Sequence, residues 1–98
     1  MLRIINNLMA TEETEMKKAV KEYLRMRGVF FYHNLAGMGV YAGIPDITAI
    51  SKGVAYGIEV KARKGKQSEN QKQFQRDWEA AGGIYILGGI DEVMRIIV

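Results

Sequence analysis

Asp46 follows Gly43-Ile44-Pro45, and thirteen residues later the chain reads Glu59-Val60-Lys61. Two carboxylates and one ammonium group are thereby set at the spacing of two adjacent strands. Paired carboxylates hold a hard divalent cation through oxygen. A lysine beside them orients a water or helps to deprotonate it. Together these groups suit metal-assisted hydrolysis of a phosphodiester.

The elements that must position them form a hairpin. Residues 54–61 read Val-Ala-Tyr-Gly-Ile-Glu-Val-Lys. In a strand, residues two apart share a face. Glu59 and Lys61 therefore project together, above Ala55 and Gly57, whose small size leaves room for a metal and a phosphate. Ile58 and Val60 face the packed side. The preceding run from Asp46 to Ser51 is β-rich, and Lys52-Gly53 makes a tight turn between the two. Six residues run out from Asp46 to Ser51 and six return from Val54 to Glu59. Asp46 thus meets Glu59 and Lys61 at the hairpin's open end. Pro45 has no N–H to donate, so it belongs at a strand start or edge. An exposed ion pair on a surface hairpin would also show Glu-x-Lys. The Gly-x-Pro-Asp partner at matching distance favours the catalytic reading.

Around the hairpin the order reads α-β-β-β-α-β, with a final short α. Thr11 stands as the N-cap of the first helix, with Glu12 and Glu13 in its first turn. Met16, Ala19, Val20, Tyr23 and Leu24 recur at helical spacing, and Gly28 ends the helix. Residues 29–34 read as a strand. A glycine-rich loop with Gly37, Gly39 and Gly43 leads into the motif. Ser68 opens a second helix carrying Phe74, Trp78 and Ala81, and Gly82-Gly83 stops it. Residues 84–87 are the last strand, and Asp91 caps the terminal helix. The first three strands form a meander, and the second helix crosses to the last strand, as in a mixed sheet with helices packed on it.

Other residues have two readings. Glu15 flanks the apolar stripe and is either an active-site acid or a solvated one; Glu12 is its fallback, and Glu13 reads as solvated. Gln71 completes Ser68-Glu-Asn-Gln71, a capping box, yet shares a face with Phe74 and Trp78 that meets the sheet, where its amide would bind a water or a phosphate. Arg63, Lys64 and Lys66 follow the acids, and Lys17, Lys18, Lys21, Arg25 and Arg27 line the first helix. Beside a phosphodiester site such charge gives sequence-independent, salt-sensitive binding of nucleic acid. His33 reads as a packing or hydrogen-bonding residue, and Phe74 and Trp78 as core.

The 98 residues carry a net charge of +3 and no cysteine. One domain spans 1–98, with an apolar leader over 1–10 that packs on the domain or on a second subunit. Disulfides and thiolate metal sites are excluded, and a reducing cytoplasm fits. No stretch approaches a membrane span. So short a chain buries only about two-thirds of its unfolded surface, which favours a homodimer.

These pieces in order resemble a stand-alone VRR-NUC domain, the virus-type replication-repair nuclease family of the PD-(D/E)xK superfamily. The matching residues are Glu15 with Ala19-Val20 and Tyr23-Leu24, Gly43-Ile-Pro-Asp46, Ile58-Glu-Val-Lys61, the segment from Gly65 to Gln71, and Ala81-Gly82-Gly83. The resemblance implies a restriction-endonuclease-like α/β fold and cleavage dependent on Mg²⁺ or Mn²⁺. Asp46, Glu59 and the Val60 carbonyl would be ligands, Lys61 would position or activate the water, and Glu15 and Gln71 would complete the site. Compact members resemble dimeric Holliday-junction resolvases, which makes branched DNA, four-way junctions above all, the expected substrate. A less selective nickase or flap nuclease is the alternative, and a non-catalytic nucleic-acid-binding subunit is the alternative from another class.

Overall fold

The computed structural model describes residues 2–63 and 65–98, and for residues 2–10 the backbone alone. The packing expected of the 1–10 leader and the DNA contact expected of Lys64 lie outside the described residues. The elements run α1 (Leu2–Met26), β1 (Phe30–His33), β2 (Ile47–Ser51), β3 (Val54–Val60), α2 (Glu69–Ala80), β4 (Ile84–Gly88) and α3 (Ile90–Ile96). This is the order the sequence predicts.

Two helix starts differ from expectation. Thr11 is not an N-cap: α1 already runs through it from Leu2. No glycine or proline precedes Gly28, so nothing interrupts the helical ladder. Asp91 is not the cap of α3 either. Gly89 occupies that position, Asp91 lies in the first turn, and the Gly89 N–H donates to the Glu92 carboxylate at 3.2 Å. Gly28 does end α1, at φ +67°, with its N–H on the Arg25 carbonyl and the Val29 N–H on the Leu24 carbonyl. This is the left-handed closing turn that satisfies a helix's last carbonyls.

The sheet order is β1-β2-β3-β4. The first two pairings are antiparallel and β3–β4 is parallel, so α2 is the crossover. Lys52 and Gly53 turn the β2–β3 hairpin with φ of 53° and 80°. Positive φ at both positions matches the right-handed twist of the strands. Ile47 pairs with Ile58, which puts the next residues out, Asp46 and Glu59, opposite each other.

Side chains alternate across this sheet. Ile47, Ala49, Tyr56, Ile58, Val60 and Ile86 pack with Val20 and Leu24 of α1 and with Val93 and Ile97 at α3. Each buried Val, Leu or Ile contributes about 1.5–3 kcal/mol. The Tyr23 hydroxyl donates to the Ile97 carbonyl and ties α1 to the chain end. On the other face α2 lays Trp78 over Gly57 and Gly83. Among the described residues no helix is long and apolar enough to cross a membrane.

Candidate active site

The open end of the hairpin holds the two acids. Asp46 directly precedes β2, and its Oδ2 accepts the Val60 N–H at 2.8 Å. That bond spans the two strands and fixes the carboxylate toward Glu59. The segment before it is tied down by Asn34. The Asn34 amide donates to the Pro45 carbonyl at 3.0 Å and to Thr48 Oγ1 at 2.8 Å, and the Asn34 N–H reaches the Asp46 carbonyl at 2.8 Å. Gly43 closes the loop against α2. Its φ is +76°, and a Cβ there would run into the Asn70 carbonyl.

Glu59 is 4% exposed, while the lysine two residues on is half-buried. The Glu59 carboxyl is pushed up to about 8, first by burial, then by the charge of Asp46 and a hydrogen bond with it; Lys61 and Lys17 pull it down. Two acids so close cannot both ionise in a low-dielectric site without a compensating cation. Gly57 leaves no open space for a metal and a phosphate, contrary to expectation. A Cβ there would lie 3.2 Å from Pro45 Cγ and 3.4 Å from the Trp78 indole nitrogen. The missing side chain admits Pro45, which precedes Asp46, and the Trp78 indole behind it.

The acid of α1 that reaches the chain just after β3 is Glu13. Glu15 is exposed, pairs with Lys18 at 3.3 Å and lines a hollow with Lys21, Glu22 and Arg25. The structure does not bring it to Asp46 and Glu59. Glu13 Oε1 instead accepts the Ala62 N–H at 3.3 Å, one residue beyond the Glu-x-Lys motif. Lys17 Nζ lies 3.3 Å from Asp46 Oδ1. The reason is helical phase. At about 100° per residue, Glu13 and Lys17 share a side with buried Val20 and Leu24, and Glu15 stands roughly 200° from Glu13. Glu12, the fallback, lines a hollow with Lys61 of the motif, Arg63 and the start of α3.

Gln71 makes the capping box: its N–H donates to Ser68 Oγ at 3.1 Å and its Oε1 accepts the Ser68 N–H at 2.8 Å. Gln71 also lines a hollow against the glycine-rich loop, with Gly37, Tyr41 and Gly43. Arg63 and Lys66 are exposed on the connection before α2, and Lys18 is exposed but paired with Glu15. His33 is exposed at the end of β1, opposite Ile47. The polar network behind the site was not legible: Gln67 donates to Gln75 at 3.0 Å and to the Tyr85 hydroxyl at 3.3 Å. Burial holds the Tyr85 phenol above its usual range, and Glu59 and Asp46 add to the rise while Gln67 opposes it.

The donors fit one kind of metal. They are two carboxylates, and among the described residues no group of three His, Cys, Asp or Glu is spaced to hold a metal. A cation that retains several waters, such as Mg²⁺, is held by one or two carboxylates and by substrate phosphate. Tetrahedral zinc is not matched by this set.

No protein-family model matches the sequence, and neither does any curated protein. Among solved structures, a chain described as a VRR_NUC domain superposes with a TM-score of 0.71 at 22% identity. The match covers 88% of this chain and 97% of that one. The chain therefore has the fold of a VRR_NUC domain, an α/β mixed sheet flanked by helices, as the sequence resemblance implies.

Proposed function

We propose that the chain is a VRR-NUC-type endonuclease that hydrolyses phosphodiester bonds of DNA with Mg²⁺ or Mn²⁺. The observation that carries this reading is the Asp46–Glu59 pair, with Asp46 fixed by the Val60 N–H and lysines on either flank. Burying one acid beside another is costly, and a structural role alone gives no reason for it. A polyanion-binding module has still less reason, since the pair repels phosphate.

Each residue has a part. Asp46 and Glu59 hold the cation, with the Val60 carbonyl as a third oxygen donor. When bound, the cation supplies Lewis-acid polarisation of the phosphodiester and offsets the charge that develops in its cleavage. Lys61 orients the attacking water and favours its loss of a proton through the nearby positive charge. Lys17 screens Asp46, and Glu13 holds the backbone after Lys61 through the Ala62 N–H. Gln71, its carbonyl oxygen engaged in the cap, turns its amide N–H groups toward substrate phosphate. Arg63, Lys64, Lys66 and Lys18 neutralise phosphates farther along the strand.

The preferred substrate is a four-way junction cut by a homodimer. Support for the dimer comes from edge strand β1, where Phe30 and Tyr32 stay 65% and 50% exposed beside Ile50. Exposed apolar edges invite pairing with another chain. The test is cleavage of labelled four-way, flap, nicked and linear DNAs with Mg²⁺, Mn²⁺ or EDTA. Cleavage is expected with either metal and not with the chelator. Full activity of metal-free protein in EDTA refutes the mechanism, and equal cutting of flaps or linear duplex favours the nickase reading.

A further inference from the structure

Phe74, Asp77, Trp78 and Ala81 recur along one face of α2, and Tyr41 descends on that face from the glycine-rich loop. The Phe74 and Trp78 rings are stacked, 5.5 Å between centroids and 23° between planes. Tyr41 meets Phe74 edge-on at 5.4 Å and 84°. These five residues line a slot of about 270 Å³. That is below the roughly 300–1,000 Å³ of sites for drug-sized ligands, and suits a single flat ring system. A cluster serving only as core would be closed over, yet Tyr41 keeps 59% of its surface exposed.

The polar rim adds chemistry. Asp77 Oδ2 accepts the Tyr41 hydroxyl at 3.3 Å, and Oδ1 accepts the Gln73 amide at 3.0 Å. A carboxylate offers about four acceptor sites, so capacity remains for N–H donors on the edge of a ring. The Trp78 indole nitrogen donates to the Ile84 carbonyl at 2.9 Å, which fixes the ring's orientation. Trp78 lies on Gly57. Glu59 is two residues farther along the same face of that strand, so α2 carries the slot over the strand that bears the acid.

We propose that this slot takes an unstacked nucleobase of the DNA whose backbone lies at Asp46 and Glu59. Cleavage would then fall beside an unpaired nucleotide, such as those at a branch point. Stacking is indifferent to base identity, because every base has a π-face, so the slot selects structure with little sequence readout. This inference rests on the phosphodiester reading of the acidic pair.

Trp78 is the one tryptophan of the chain, so its fluorescence reports the slot directly. The full chain in EDTA is titrated with a duplex carrying one unpaired cytosine, the same duplex with an abasic residue at that position, and a fully paired duplex. The expected result is quenching by the unpaired base, with binding roughly tenfold tighter than to the abasic probe. Tyr41→Ala should erase that difference, leaving abasic and paired affinities unchanged, and Tyr41→Phe should retain it. Equal quenching and affinity for base and abasic probes would overturn the slot while leaving the phosphodiester reading intact. Failure to bind any of the DNAs, with no cleavage under Mg²⁺ or Mn²⁺, would overturn both.

Discussion

Glu59 is buried beside a second acid, and burial disfavours its charged form. Its carboxyl rises from 4.5 to about 8 in the folded, metal-free chain. Between those values the folded state binds a proton that the unfolded state has lost. Stability from this group is therefore fully present below 4.5 and is lost as pH rises through about 8. In EDTA the melting temperature should fall between pH 5 and pH 8.5, and Glu59→Gln, which cannot ionise, should flatten that fall. Identical slopes in the two proteins would show that Glu59 titrates normally. For turnover, Asp46→Ala and Glu59→Ala should each abolish cleavage with the fold and DNA binding retained, because on the proposed mechanism each removes a metal ligand and a repulsive charge together. Binding measured by anisotropy, alongside cleavage, separates the two effects, and normal turnover by either variant would refute the assignment. The facing of Asp46 and Glu59 is legible in the sequence, since strand parity and a two-residue turn fix it by counting. Glu13 and Lys17 had a signal too, their phase with Val20 and Leu24, but an apolar stripe is a broad arc and does not single out one acid. Asn34 had none. Its bonds to Pro45 and Thr48 close a loop whose path no local rule dictates.

Elements hold these residues in register, and the loop between β1 and β2 is the least regular of them. Gly43 and Gly53 both have positive φ, near 76° and 80°. A Cβ on Gly53 meets open space, whereas one on Gly43 meets the backbone of Asn70 and Gln71. Gly53→Ala should therefore cost about 1–2 kcal/mol, the usual burden of a left-handed residue. Gly43→Ala should cost more, about 3 kcal/mol, since strain and collision add. It should also lower cleavage, because the loop carries Pro45 and Asp46. Urea denaturation of both variants checks the ranking, and equal losses would mean that the loop yields freely. The strands, α2 and its cap are legible because period-two alternation, turn glycines and the Ser-x-x-Gln box agree with one another. The start of α1 is not, because Thr11 carries a capping side chain inside a run with no breaker before it. Gly57 shows a further limit. Its smallness is visible in the sequence, but whether a ligand or the chain's own Pro45 and Trp78 fills the space depends on tertiary packing.

At the scale of the molecule, a chain of 98 residues with a charge of +3 has limited means to select one DNA shape. A net positive charge favours any polyanion alike, and affinity from phosphate contacts falls steeply with salt. For the proposed nuclease, selection would come from where two cuts are allowed to fall. A four-way junction has two-fold symmetry, and an isologous dimer presents two identical sites related by the same operation. Edge strand β1, with Phe30, Tyr32 and Ile50 uncovered, offers a surface that a second copy would bury. The expected assembly is a stable homodimer at low micromolar concentration that prefers junctions to linear duplex, through branch shape and phosphate position. Sedimentation should show the dimer, and Phe30→Glu with Tyr32→Glu should shift it toward monomer. On a supercoiled plasmid bearing a cruciform, the dimer should make paired cuts and yield linear product directly, while the monomeric variant accumulates nicked circles. A wild-type protein that sediments as a monomer, or that nicks the cruciform without linearising it, would exclude paired incision and leave a single-site nickase or flap nuclease as the activity of the Asp46–Glu59 pair.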